Sequence, residues 1–140
     1  ALFRRSLDDA ADGAASPPEA EMADALRGCR LPFLLNPELR MNGKLLGYPD
    51  GYFLGLGAGW EVESRERHEG DESFDETLGR HTVFGGHGLV LAHPTPRRIR
   101  QDPVLAASSV LRVARARLLL PSGLREPQGL EVIPRGPVLR

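Results

Sequence analysis

Residues 48–64, which read YPDGYFLGLGAGWEVES, are the most informative stretch of this chain. An apolar strand that ends at Asp50 is followed, after a glycine-rich turn, by a second strand that carries Glu61 and Glu63. Side chains alternate across a strand, so Glu61 and Glu63 share one face and Val62 points to the other. Three carboxylates on one face repel each other unless a hard divalent cation with oxygen ligands offsets their charge. The stretch therefore predicts a cation site on a sheet face.

Length and composition are those of an ordinary globular domain. The 140 residues are 41% apolar and 26% charged, which is enough for one domain with a buried core. The net charge of −1 does not by itself indicate a polyanionic partner. The single cysteine, Cys29, excludes a disulfide framework and a thiolate metal cage. No run approaches the ~20 apolar residues of a membrane span, and the first residues do not resemble a signal peptide, so we expect a cytoplasmic protein without membrane contacts.

Local signals along the chain predict its secondary structure. Ser16 begins a capping box, and Asn42-Gly43 is a strong signal for a two-residue β-hairpin. The continuous apolar run 89–92 is typical of a strand buried on both faces, and Asp102 before a proline caps another helix. These signals predict strands near 38–42, 44–50, 59–64 and 89–93, and helices near 17–29, 73–84 and 103–118.

The predicted order of elements is α-β-β-β-α-β-α. The hairpin is antiparallel and the later crossover favours a parallel pairing, so we expect an α/β fold with a mixed four-stranded sheet flanked by helices. Residues 1–15, rich in Ala and Asp, predict a flexible arm before a domain over 16–120. The prolines and glycines of 121–140 predict an extended or disordered tail.

This order of elements resembles the core of the PD-(D/E)xK nuclease superfamily. The chain is similar in particular to the very-short-patch-repair endonuclease and to the C-terminal domain of actinobacterial regulators of the abortive-infection antitoxin type. The resemblance covers about 70% of the chain, and a fold of this kind is compatible with several functions. It rests on SPPE at 16–19, GYPD at 47–50, EVESRERH at 61–68, TLGRH at 77–81 and LAHPTP at 91–96.

The resemblance implies roles for four residues of a restriction-endonuclease-like site. Asp50 takes the position of the metal aspartate and Glu61 that of the second acid, so these two would bind Mg²⁺, or Mn²⁺ in its place. Glu63 stands where lysine is usual, which removes the cation that would orient and deprotonate water. His68 takes the position of the histidine that follows the second acidic strand. An imidazole there can hold or pass a proton, although a loop histidine bonded to a neighbouring acid has the same sequence appearance.

Basic residues provide candidate contacts to DNA. Arg97 and Arg98 follow the last predicted strand and precede a helix, where a phosphate backbone can be gripped. In a DNA endonuclease, Arg80 would hold phosphates together with Arg97 and Arg98, and a solvated basic turn is the alternative reading of the latter two. Aromatic residues make up only 6% of the chain, which argues against a stacking platform for single strands.

Three functions remain open from the sequence. The first is a metal-dependent DNA endonuclease in which Asp50, Glu61, Glu63 and His68 are catalytic. The second is a non-catalytic DNA-binding or regulatory module, similar to the antitoxin-like regulators, that keeps the nuclease fold. The third is a protein-interaction domain. A homodimer or a partner domain upstream would add contacts in each case.

Overall fold

The computed structural model describes residues 17–63 and 83–140 of the 140-residue chain. Its described helices are α1 (Pro17–Leu26), α2 (Pro96–Gln101) and α3 (Pro103–Leu118), with a 3-10 turn at Ser122–Leu124. Residues 83–86 are also helical. The strands are β1 (Phe33–Leu35), β2 (Glu38–Met41), β3 (Lys44–Gly47), β4 (Gly51–Phe53), β5 (Ala58–Trp60), β6 (Val90–Ala92) and β7 (Leu130–Ile133).

The protein is α/β with a mixed four-stranded sheet, as the sequence predicted. The strand order is β1-β4-β5-β6, in which the first two pairings are antiparallel and β5 runs parallel to β6. Gly51 lies opposite Trp60, and Trp60 lies opposite Ala92. The crossover from β5 to β6 contains the helical residues 83–86, as a parallel connection requires.

The predicted hairpin at Asn42-Gly43 is confirmed, but it belongs to a second sheet. Asn42 and Gly43 have φ angles of 52° and 81°, and Met41 pairs with Lys44, which is a type I′ arrangement. The hairpin joins β7 in a three-stranded antiparallel sheet of order β3-β2-β7. The expectation that strands near 38–42 and 44–50 contribute to the four-stranded sheet was therefore wrong. The chain leaves the hairpin at Gly47 and Pro49, and the separate strands β1 and β4 take those places.

The C-terminal residues are part of the fold, whereas the sequence predicted an extended or disordered tail over 121–140. Strand β7 pairs with β2 along its whole length, with Leu39 opposite Val132. Beyond it, Phe33 and Leu139 exchange two backbone hydrogen bonds of 2.8 Å each. The prolines and glycines that suggested disorder make turns between these pairings, which no local pattern could reveal because the partners lie about 90 or more residues earlier.

Helix positions follow their local signals. Helix α1 ends at Leu26, three residues before the predicted limit, and Arg27 and Cys29 then form turns on the preceding carbonyls. Helix α3 matches its prediction, and Asp102 caps it by accepting a 3.1 Å hydrogen bond from the Leu105 N–H. Most of the predicted helix 73–84 lies outside the described residues. None of the helices in the described ranges is long and apolar enough to cross a membrane.

Three layers enclose two apolar clusters. The first cluster fills the space between the four-stranded sheet and the helices, and it contains Phe33, Phe53 and Trp60, whose ring centroids are 5.2–6.1 Å apart. The second cluster lies between the same sheet and the three-stranded sheet, and it includes Tyr52 and Leu91. The four-stranded sheet is therefore covered by helices on one face and by the second sheet on the other.

Candidate functional site

The backbone holds Glu61 and Glu63 at the end of β5. Glu61 N–H donates to the Ala92 carbonyl at 2.9 Å and Glu63 N–H to the Pro94 carbonyl at 2.8 Å, which continues the parallel ladder past Trp60. The regular strand ends at Trp60 rather than at the predicted position 64, because Pro94 has no N–H to return a bond to Glu61. Val62 is buried in the helix-side cluster, whereas Glu61 and Glu63 are half-buried. This alternation agrees with the predicted common face of the two acids.

Asp50 has a structural task at the start of β4. Its Oδ2 atom accepts a 2.7 Å hydrogen bond from the Val62 N–H, and its backbone carbonyl accepts one of 3.0 Å from Asn36. The neighbouring Pro49 lacks an N–H and cannot continue a reciprocal antiparallel ladder with β5. The Asp50 carboxylate thus satisfies the backbone donor of a buried residue, a contact worth about 1–3 kcal/mol because a charged acceptor is involved.

The strand registers bring Asp50, Glu61 and His93 into one row. Extending the β4–β5 register by one residue sets Asp50 opposite Glu61, and extending the β5–β6 register sets Glu61 opposite His93. Residues opposite each other in a sheet share a face, so all three lie on the face covered by the second sheet. His93 was not among the candidate site residues predicted from the sequence. The signal that could have found it was the parallel register between the second acidic strand and the run 89–92.

The described residues do not complete the predicted metal centre. No group of three or more His, Cys, Asp or Glu side chains suited to a metal ion occurs within residues 17–63 and 83–140. Asp50 and Glu61, the predicted ligands of Mg²⁺ or Mn²⁺, occupy neighbouring register positions, but one Asp50 oxygen already binds the Val62 N–H. Mg²⁺ held by one or two carboxylates usually completes its coordination with water molecules. Glu63 is a further acid and provides no cation beside this row.

Two predicted site residues cannot be placed. His68, the candidate for proton transfer, and Arg80, a candidate phosphate contact, lie outside the described residues. Their roles stay predictions.

The predicted phosphate contacts Arg97 and Arg98 lie on α2. Thr95 caps this helix, because its Oγ1 accepts a 3.1 Å hydrogen bond from the Arg98 N–H. Pro96 and Ile99 are buried, whereas Arg97, Arg98 and the following Arg100 are exposed. Ile99 belongs to the helix-side cluster, so α2 lies on the opposite face of the sheet from the row of Asp50, Glu61 and His93.

Hydrogen bonds join the C-terminal segment to the four-stranded sheet and to α3. The Tyr52 hydroxyl donates to the Glu126 carboxylate, which also accepts a 3.2 Å bond from the Gly55 N–H. Burial, followed by the hydrogen bond and charge of Glu126, raises the pKa of Tyr52 well above its usual value. Arg117 donates to the carbonyls of Leu56, Gly88 and Arg125. These contacts hold the glycine-rich turn between β4 and β5 in place. That turn leads into the strand that positions Glu61.

Comparison of the chain with protein-family models, curated proteins and solved structures gave no match.

Proposed function

We propose that this chain is a DNA-binding module built on a nuclease-like sheet, in which the arginines of α2 hold the phosphate backbone. The observation that carries the proposal is the composition of α2, which exposes Arg97, Arg98 and Arg100 while it buries only Pro96 and Ile99. Guanidinium groups suit bidentate hydrogen bonds to phosphate oxygens. The antitoxin-like regulators that the sequence resembles provide the functional class.

The surrounding sequence supports an anionic partner. Residues 83–140 contain nine arginines and three acidic residues, although the whole chain carries a net charge of −1. Asp102 and Glu126, two of those three acids, accept hydrogen bonds inside the protein. This local excess of basic over acidic residues favours association with a polyanion at moderate ionic strength.

The arrangement of the acids favours binding over cleavage as the principal function. Asp50 is engaged with the backbone, Glu63 replaces a lysine, and the described residues contain no group of three metal-binding side chains. The α2 arginines and the acidic row also lie on opposite faces of the sheet. Phosphate contacts by α2 therefore do not depend on a metal bound at the row of Asp50, Glu61 and His93.

Fluorescence anisotropy with a labelled 20-base-pair duplex, in the presence of a chelator, tests this proposal. Each phosphate contact contributes a slope of about −0.9 to the dependence of log K on log salt, so three contacts predict roughly a 40-fold loss of affinity between 50 and 200 mM salt. The double variant Arg97→Ala/Arg98→Ala should reduce the slope by about 2. Lys44→Ala, which removes one exposed positive charge from the hairpin, is the control and should reduce the slope by less than about 1. Unchanged binding by the double variant, or no binding by the wild type at 50 mM, overturns the proposal.

A second candidate function is metal-dependent hydrolysis of DNA, which the row of Asp50, Glu61 and His93 favours. Bound Mg²⁺ or Mn²⁺ would supply a Lewis acid for the phosphodiester. Calorimetric titration with Mn²⁺ and nicking of supercoiled plasmid, each with and without chelator, test this candidate. Asp50→Asn is the informative variant, because its amide oxygen can still accept the Val62 N–H while the charge is lost. Chelator-sensitive nicking that disappears in Asp50→Asn would establish an enzyme, and equal Mn²⁺ binding by the variant would exclude this site.

A further inference from the structure

The arginines near the end of α3 fall into two groups. The guanidinium groups of Arg117 and Arg125 are committed to the fold, because they donate hydrogen bonds to backbone carbonyls. Arg112 and Arg115 are exposed, and neither makes a hydrogen bond or an ion pair with another residue of the described ranges. The first group holds the C-terminal segment in place. The second group has no such structural task.

Helix α3 and the segment that follows it contain no acidic residue beside Arg112 and Arg115. Residues 103–125 contain four arginines and no acidic residue. The acids that flank this segment in the sequence are used internally. Asp102 caps α3, and Glu126 binds the Tyr52 hydroxyl. An exposed helix without acidic residues carries a positive potential along its outer face, because no i to i+4 carboxylate offsets the arginines.

The outer face of α3 has short serine side chains beside its two arginines. Ser108, Ser109, Arg112 and Arg115 recur at helical spacing and are all exposed, whereas Val110 and Ala114 are buried on the opposite side. The Ser109 hydroxyl donates a 3.2 Å hydrogen bond to the Leu105 carbonyl and so stays close to the helix backbone. An α-helix with its side chains is about 10–12 Å across, which fits the ~12 Å width of a DNA major groove.

We propose that the outer face of α3, formed by Ser108, Ser109, Arg112 and Arg115, is a binding surface for double-stranded DNA that enters the major groove. This inference rests on the proposed DNA-binding function and assigns duplex DNA, rather than single strands, as the partner. The arginines of α2 hold phosphates beside the groove, since α2 and α3 are joined at Asp102 and pack on each other. The helix-in-groove geometry needs a regular duplex, because a single strand offers no groove of this width.

Charge favours duplex DNA over a protein partner on this face. Leu105 and Leu119 lie on the same side of the helix, with 63% and 86% of their surfaces exposed. A second copy of the chain that covered them would also bury Arg112 from both protomers near the centre of the contact. Two unpaired cations would then lose their hydration, which is costly without carboxylates to pair with them. Phosphates supply the missing negative charge.

Competition binding tests the inference. A labelled 20-base-pair duplex is displaced by unlabelled duplex and by single strands of the same sequence, for the wild type and for Arg112→Ala/Arg115→Ala. We expect the duplex to compete at least 10-fold better, and the double variant to lose about 10- to 100-fold in duplex affinity with a salt slope reduced by about 2. Lys44→Ala, which removes one exposed positive charge from the hairpin, is the control. Circular dichroism should show unchanged folding, because exposed substitutions of this kind rarely alter stability.

The outcomes separate this inference from the proposed function. If Arg112→Ala/Arg115→Ala binds duplex like the wild type while Arg97→Ala/Arg98→Ala is impaired, the α3 surface is refuted and DNA binding by α2 stands. Equal competition by single strands also refutes it. If the wild type binds no DNA, both proposals fail together. Concentration-dependent dimerisation that Leu105→Asp abolishes, with DNA affinity intact in that variant, would assign the face to a second copy instead.

Discussion

Replacing Gly51 by alanine should destabilise the protein strongly, because Gly51 makes room for the only tryptophan. A Cβ atom at position 51 would lie 2.1 Å from two atoms of the Trp60 ring, whereas carbon atoms in contact are normally about 3.5–4.0 Å apart. Trp60 is only 1% exposed, and its ring is 5.5 Å from Phe33 and 5.2 Å from Phe53, so it cannot shift without displacing them. Overpacking costs about 1–3 kcal/mol, and expulsion of the indole about 3–5 kcal/mol. We expect a loss of about 3–5 kcal/mol.

Urea unfolding followed by intrinsic fluorescence measures this effect directly, since Trp60 is the sole tryptophan and reports its own environment. The expected loss corresponds to a decrease in Tm of roughly 10–20 °C for a domain of this size. Gly123→Ala is the matched control, because no atom lies within 4 Å of its added Cβ, and its stability should change by less than about 1 kcal/mol. A Gly51→Ala variant with the unfolding midpoint and emission maximum of the wild type would refute the packing argument.

Three further predictions concern the polar contacts. Arg117→Lys should lower the free energy of unfolding by about 1–3 kcal/mol in urea titrations, because an ammonium cannot span the three carbonyls. An equal effect from the control variant Arg115→Lys would contradict this reasoning. The raised pKa of Tyr52 means that the unfolded state loses its proton first, so stability should fall as the pH rises above about 10. Tyr52→Phe should remove that component of the decline, and identical pH profiles would exclude it. Asp50→Ala should lower the free energy of unfolding by about 1–3 kcal/mol, because it leaves the Val62 N–H without its acceptor, whereas Asp50→Asn should lower it less. Equal urea-unfolding midpoints for the two variants would count against the hydrogen bond of this side chain to the backbone.

Residues of the candidate site were recognised from the sequence only as far as local geometry determines them. Alternation along a strand predicted that Glu61 and Glu63 share a face, and the burial of Val62 agrees with it. Asp50 was recognised as a neighbour of these acids but not as the acceptor for Val62. That contact depends on the register between two strands and on the missing N–H of Pro49. His93 enters the same row only through a parallel pairing formed across a long connection.

Elements that rest on contacts between near neighbours could be predicted from the sequence. The Asn42-Gly43 turn needs two residues that tolerate positive φ, and α3 needs a capping aspartate followed by helical periodicity; both signals lie within a few residues of the structure they specify. The pairing partner of each strand, in contrast, depends on long-range packing. The hairpin pairs with β7 rather than with β4, because backbone donors at a strand edge are satisfied by whichever distant segment packs against the shared apolar cluster. Local patterns do not encode that choice.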